Sequence, residues 1–246
     1  MNRQNGALRI FWYNWPMYLG TWGLAVLVIL VVPLAKPQLA TTAAVAGSIL
    51  VVWSIASLLV SFYIYDRSAL LSGSWISPLL RPTVRTWATV HAGLDAEVDL
   101  DAVMPGSCVA RLDVFDPTVM TSASIRRARR RTALTKPARS CRPATVSLPD
   151  QASDAIVVAF TAHEIRDPHA RERFFAELRR SLRPGGQLVL VEHLRDFMNF
   201  LAFGPGCFHF LPRREWLRLA SHAQLRVAHE TRITPWIMAL TLERAS

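Results

Sequence analysis

Ser147 to His193 reads SLPDQASDAIVVAFTAHEIRDPHARERFFAELRRSLRPGGQLVLVEH, and this stretch decides the fold. Ile156-Val157-Val158-Ala159-Phe160 is a short apolar run rich in β-branched residues, the pattern of a strand buried on both faces. Asp167-Pro168 opens a helix: Asp caps free N–H groups, and Pro at the first helical position gives up a donor that would have no partner there. Phe174, Phe175, Leu178 and Leu182 fall on one helical face, with Arg171, Glu172, Arg179 and Arg180 on the other. Pro184-Gly185-Gly186 stops the helix, and Gln187-Leu188-Val189-Leu190-Val191 begins a second buried strand. A strand, helix and strand in this order imply a parallel sheet with a right-handed crossover.

The wording of the stretch is more specific than its pattern. Asp154 opens the strand, His163-Glu164 stands at its end, and Leu182-Arg183-Pro184-Gly185-Gly186 precedes the next strand. These residues resemble the class I S-adenosylmethionine-dependent methyltransferases, in particular their type 11-like domains. The resemblance covers about 160 residues and implies an α/β, Rossmann-like sheet, mostly parallel, with an antiparallel last strand. It also implies S-adenosylmethionine as cofactor.

Outward from that core the remaining elements follow. Thr86–Ala92 is expected as the first strand, with a short helix around Glu97–Met104 after Gly93. Cys108–Val114 is expected as the second strand, Pro117–Arg131 as the second helix, and Ala144–Leu148 as a weaker third strand. Arg213–His222 reads as a helix; Leu225–Ile233 and Trp236–Glu243 read as an antiparallel hairpin turning at Thr234-Pro235.

Ligands of open α/β sheets bind beyond the carboxyl ends of the strands. The resemblance therefore implies cofactor contacts from His91 and Gly93 after the first strand, where a single Gly allows one close backbone approach. An acidic residue at the end of the second strand would accept the ribose hydroxyls, with Asp113 and Asp116 as candidates. Asp116 also suits the cap of the following helix. Ala144 stands where such domains often place an Asp for the adenine amino group, leaving that contact to backbone near Val146 or elsewhere. Phe160 and Thr161 end the fourth strand beside the transferable methyl. Methyl transfer is a direct displacement in which protein side chains position the acceptor and, where it must lose a proton, supply a base. His163 is the candidate catalytic base, with Glu164 as its orienter or as the alternative base; capping of the strand end is the structural reading of the same pair. Glu192-His193 is a similar pair, and His209 in Gly204–Phe210 belongs to a turn or a substrate lid. The seven histidines and three cysteines show no metal-ligand spacing.

The opposite end of the chain has another character. Between Arg9 and Asp66 the only charged residue is Lys36. Residues 17–35 and 43–65 are each apolar over a length near the roughly 20 residues that cross a bilayer core. Trp12, Tyr13, Trp15, Tyr18 and Trp22 flank the first run, and Tyr63 and Tyr65 end the second, as in interfacial aromatic belts. The expected organisation is a membrane anchor at 1–66, a connector at 67–85 and a methyltransferase-like domain at 86–246. Arg3 and Arg9 precede the hairpin and Arg67, Arg81 and Arg85 follow it, which places both ends in the cytoplasm of a multi-pass plasma-membrane protein. A cleaved signal peptide ending near Ala35 is the alternative for the first run.

The net charge of the 246 residues is +10, but Lys occurs only at positions 36 and 136, so the excess is arginine. The cluster Arg126-Arg127-Ala128-Arg129-Arg130-Arg131 lacks interleaved aromatics, against a nucleic-acid partner. It suits a solvated helix end or an anionic bilayer surface. The position of all four Tyr before Asp66 excludes a Tyr-x-x-x-Lys pair, and with no G-x-G-x-x-G after a strand a nucleotide-dependent oxidoreductase is a poor third reading. Without Gly-Lys-Ser/Thr there is no P-loop. Two functions remain: a methyltransferase anchored at the lipid bilayer and acting on a small, lipophilic acceptor, or a non-catalytic scaffold or ligand sensor of the same fold.

Overall fold

The computed structural model describes residues 6–93, 100–131 and 137–245. Two helices lead the chain, α1 (Gly6–Ala35) and α2 (Ala40–Phe62), followed by a wide helical turn at Tyr63–Arg67. They pack side by side as a hairpin. The carboxylate of Asp66 accepts from the N–H groups of Gly6 and Ala7 at 2.5 and 2.7 Å, placing a negative charge on the free donors of the first helix. Both helices are long and apolar enough to cross a membrane, and little of either apolar window is buried against the protein.

The sheet is formed by β1 (Thr86–His91), β2 (Ser107–Asp113), β3 (Arg139–Ser140), β4 (Ser153–Ala159), β5 (Leu182–His193), β6 (Leu225–Thr234) and β7 (Ile237–Arg244). Its order is β3-β2-β1-β4-β5-β7-β6. All pairings are parallel except β5 with β7 and β7 with β6. This is the mostly parallel sheet with an antiparallel end that the resemblance implied. The helices of the α/β part are α3 (Leu100–Val103), α4 (Ala123–Arg131), α5 (Pro168–Ser181), α6 (Phe197–Phe203) and α7 (Arg213–His222).

Strand alternation divides the core cleanly. Ala88, Val90, Ile156, Val158, Leu188, Leu190, Met238, Leu240 and Leu242 point to the face covered by α5 and α7 through Phe174, Phe175, Leu178, Trp216 and Leu219. Trp87, Ala155, Val157, Val189, Val191, Ile237 and Ala239 point the other way. That face is covered by Ile64, Leu70, Ile76, Leu79 and Val84, so the residues between the hairpin and β1 are packed into the domain.

The central unit folds as its residues dictate. Asp167 caps α5 by accepting from Ala170 N–H at 2.7 Å, with Pro168 at the first helical position. Asp154 ties β4 to the start of β1: Arg85 N–H, Thr86 N–H and the Thr86 hydroxyl donate to it, and Arg183 pairs with its other oxygen at 2.9 Å. Burial pushes the Asp154 pKa up, but these donors outweigh it and hold the acid at about 2. Asp154→Ala leaves three donors of Arg85 and Thr86, at the start of β1, without their acceptor and is expected to cost about 2–3 kcal/mol, read as a fall of several degrees in the thermal midpoint of the detergent-solubilised protein.

Three expectations differ from what is found. The helix expected over Pro117–Arg131 begins only at Ala123, because the Asp116 carboxylate accepts from Thr118 N–H and its hydroxyl and holds a local turn. The third strand is Arg139–Ser140 and not Ala144–Leu148, where Arg142 and Thr145 close a turn around Pro143, which has no N–H to donate. Leu182–Gly186 is part of β5, with Gly185 at φ +72 where the register with β4 shifts. Leu94, Asp95, Glu97 and Lys136 lie outside the described residues.

Candidate functional site

The parallel strands β1, β2, β4 and β5 end together at one edge of the sheet, where the sequence reading placed the site. His91 ends β1; its ring Nδ1 accepts from Gly93 N–H at 3.2 Å, and burial lowers its pKa, with nearby Asp113 opposing. Gly93 adopts φ +86, the left-handed region that favours glycine, and a Cβ there would meet Arg129 Nη1 at 2.6 Å. Asp113 ends β2 and is buried. One of its oxygens accepts from Phe115 N–H at 3.1 Å, and the other pairs with Arg129 Nη1 at 2.7 Å. The Arg129 guanidinium also lies 4.9 Å over the Phe115 ring. Arg129 thus bridges the two places, Gly93 and Asp113, from which a nucleoside ligand would be held. Asp116 faces its own turn instead; the Thr118 hydrogen bonds lower its pKa, so it is satisfied locally.

The ends of β4 and β5 build a second group. The Phe160 backbone is left-handed at φ 49, and its ring packs against Tyr65 and His193. The Thr161 hydroxyl donates to Ala159 carbonyl and is fully buried. Thr161 is followed by a helical turn, Ala162–Glu164. Within it, Ala162 N–H and His163 N–H donate to Glu192 Oε1 at 2.9 and 3.3 Å, and His163 Nδ1 lies 2.6 Å from Glu192 Oε2. A carboxylate on Nδ1 fixes the proton there and leaves Nε2 as the basic atom. Burial pushes the His163 pKa down, but the charge and hydrogen bond of Glu192, with Glu164 beyond, outweigh it and leave it raised.

Glu164 turns the other way. The Ser122 hydroxyl donates to one oxygen at 2.6 Å, and His209 Nε2 lies 3.2 Å from the other. Burial raises its pKa, yet His209, His163 and Ser122 hold it at about 2. His163, Glu164 and His209 each offer an atom within 4.8 Å of the others, a spacing one small cation would fit. His209 comes from the helical turn Gly204–His209, whose ring, with that of Phe210, stands edge-on over His163. His193 is neutral: Asn199 Oδ1 and the Trp236 carbonyl face Nδ1, so Nε2 accepts from the Tyr65 hydroxyl at 2.7 Å. Burial lowers its pKa to about 4.

Of the residues read from sequence, the structure gathers His91, Gly93 and Asp113 at one part of the edge and Phe160, Thr161, His163 and Glu164 at the other. The residues that complete these groups, Glu192, Arg129, Ser122 and Tyr65, were not singled out for these roles. Glu192 had a signal: it stands near the end of β5, the strand paired with β4, and His163 lies in the turn that follows β4.

Residues 109–190 match the model of the methyltransferase domain family. The sheet that holds this span has the class I methyltransferase fold. Among solved structures, an S-adenosylmethionine-dependent methyltransferase of Aquifex aeolicus shares the fold at a TM-score of 0.51 and 17% identity, over 78% of this chain and 97% of that one. One from Methanosarcina mazei aligns at a TM-score of 0.47 and 17% identity, over 70% of this chain and 97% of that one. No curated protein matches. S-adenosylmethionine is the cofactor of this domain type. The chemistry present fits it: a buried carboxylate at the end of β2 and a glycine with room above it, provided Arg129, a partly exposed and flexible side chain, turns away.

Proposed function

We propose that the protein is a membrane-anchored S-adenosylmethionine-dependent methyltransferase that acts on a lipophilic acceptor by direct methyl displacement. The observation that carries the reading is the Glu192–His163 pair at the carboxyl edge of the sheet, the same edge at which β2 ends in Asp113 with β1 between them. When bound, S-adenosylmethionine supplies an electrophilic methyl group; the chain's own residues bind and deprotonate. Asp113 would accept hydrogen bonds from the ribose hydroxyls, and Gly93 would let the ligand approach the backbone. His163 takes the acceptor's proton at Nε2, its Nδ1–H held by Glu192, while Glu164 positions His209 and Phe210 beside it. That ring cover keeps water from the reacting atoms.

The hairpin of α1 and α2 spans the bilayer twice, with both ends and the catalytic domain in the cytoplasm, as the arginines at its two ends favour. A helix pair that buries so little of its apolar surface in the protein needs another cover, and lipid provides it. The anchor in turn makes a membrane-dissolved acceptor the natural substrate class.

One observation favours the second reading, a non-catalytic scaffold or sensor: Arg129 already satisfies Asp113. Titration of S-adenosylmethionine into the detergent-solubilised full-length protein separates the two. Saturable heat supports the enzyme; none from a folded protein overturns it in favour of the scaffold.

A further inference from the structure

The helix α6 and the turn after it carry an apolar surface that the domain leaves uncovered. Phe197, Met198 and Leu201 are 67%, 47% and 51% exposed and share one face of α6, and Phe208 in the following turn is 58% exposed. The opposite face holds Asn199 and Ala202, both buried. The segment is fixed to the hairpin: Trp53 Nε1 donates to the Leu201 carbonyl at 2.6 Å, and its ring meets Phe200 edge-on at 5.7 Å.

Trp53 sets the depth. It lies in α2, which starts at Ala40, so at 1.5 Å per residue it is roughly 20 Å from the hairpin tip. A hydrocarbon core about 30 Å thick that begins at the tip therefore extends about 10 Å beyond Trp53, toward the domain. Trp22 on α1 is level with it, donating to Ser54 at 2.7 Å. Among the described residues, arginines meet the hairpin nearer the domain: Arg127 donates to the Tyr13 carbonyl and Arg131 lies over Trp12.

From this spacing we propose that α6 and the turn Gly204–His209 are embedded in the leaflet on the domain side, with Phe197, Met198, Leu201 and Phe208 in contact with lipid. The inference rests on the anchor reading of the hairpin and deepens it. The backbone suits that burial, because the groups that would face lipid are satisfied within the protein. Arg195 donates to the Phe208 and Phe210 carbonyls at 2.9 Å, and Asp196 is neutralised by Arg232 at 2.7 Å. The turn that meets lipid through Phe208 also carries His209, which covers His163 and Glu164. An acceptor thus reaches the site from the bilayer, as an amphiphile whose reacting group lies just below the headgroups.

The test places a single spin label on the full-length protein in phosphatidylcholine–phosphatidylglycerol vesicles, with Cys108, Cys141 and Cys207 replaced by Ser or Ala. Val31→Cys reports the hairpin, Phe197→Cys and Leu201→Cys report α6, and Val109→Cys reports an exposed position of β2. The ratio of relaxation by oxygen to relaxation by a water-soluble nickel chelate reads depth. Labels at 31, 197 and 201 are expected an order of magnitude above the label at 109. A lipid signal at 31 with water values at 197 and 201 overturns the embedding while leaving the anchor intact. Water values at all four positions overturn both.

Discussion

Asp113→Ala is expected to weaken S-adenosylmethionine binding by about 100-fold or more, while Arg129→Ala strengthens it several-fold. Two hydroxyl groups on a buried carboxylate each contribute about 1.5–3 kcal/mol as charge-assisted hydrogen bonds. Losing both removes at least about 3 kcal/mol, and each 1.4 kcal/mol is tenfold in affinity. Arg129 competes for the same oxygen at 2.7 Å and stands over Gly93. Its side chain is partly exposed, so the ion pair is screened and its removal returns only a fraction of that energy. Neither substitution threatens the fold, because Arg129 freed of Asp113 can turn to water. Calorimetry on both variants checks the pair of signs. Weaker binding by Arg129→Ala would mean that the arginine touches the ligand instead of displacing it, and undiminished binding by Asp113→Ala would move the ribose contact elsewhere.

The opposite signs matter because the two residues were not equally legible. Asp113 was a candidate from sequence through the family resemblance, which sets an acidic residue at the end of the second strand. Arg129 was hidden in a run of arginines whose only local signal is a solvated helix face. Its partner depends on where α4 begins, and the Asp116 turn moved that start to Ala123. The same contrast runs through the fold. Strong periodicity fixed β4, α5 and the part of β5 from Gln187 onward, and the cap at Asp167 is where Asp-Pro placed it. The short β3 has two residues and no periodicity to read; pairing with β2 alone defines it. The helical character of Phe197–Phe203 was masked because its apolar residues face both Trp53 and open space, so no polar stripe marks the helix. Glu192 could be seen as a strand-end acid, but its bond to His163 arises between neighbouring strands, which spacing along the chain does not encode.

Glu192→Gln is expected to lower the rate of methyl transfer by about 100-fold or more while leaving the fold in place. The amide is close in shape to the carboxylate, and its oxygen continues to accept from Ala162 N–H and His163 N–H. Its NH2 group, however, faces His163 Nδ1, so that atom becomes an acceptor and the ring proton moves to Nε2. A base whose working lone pair is occupied loses the roughly 10²–10⁴-fold that general-base catalysis contributes. The charge changes as well. In the native protein Glu192 holds the His163 pKa above 6.5 against burial. Stability from that raised value is fully present below the unfolded pKa near 6.5, and is lost as pH rises through the folded one. Without the Glu192 charge the depressing effect of burial prevails, so the folded pKa drops below 6.5 and stability is instead lost as pH falls. NMR titration of His163 in detergent micelles should therefore show its midpoint crossing from above 6.5 to below it. An unchanged midpoint together with an unchanged rate would remove Glu192 from the machinery. Glu192→Ala separates positioning from packing: it strands three buried donors, at a cost of about 3–5 kcal/mol, and lowers the thermal midpoint where the glutamine variant does not.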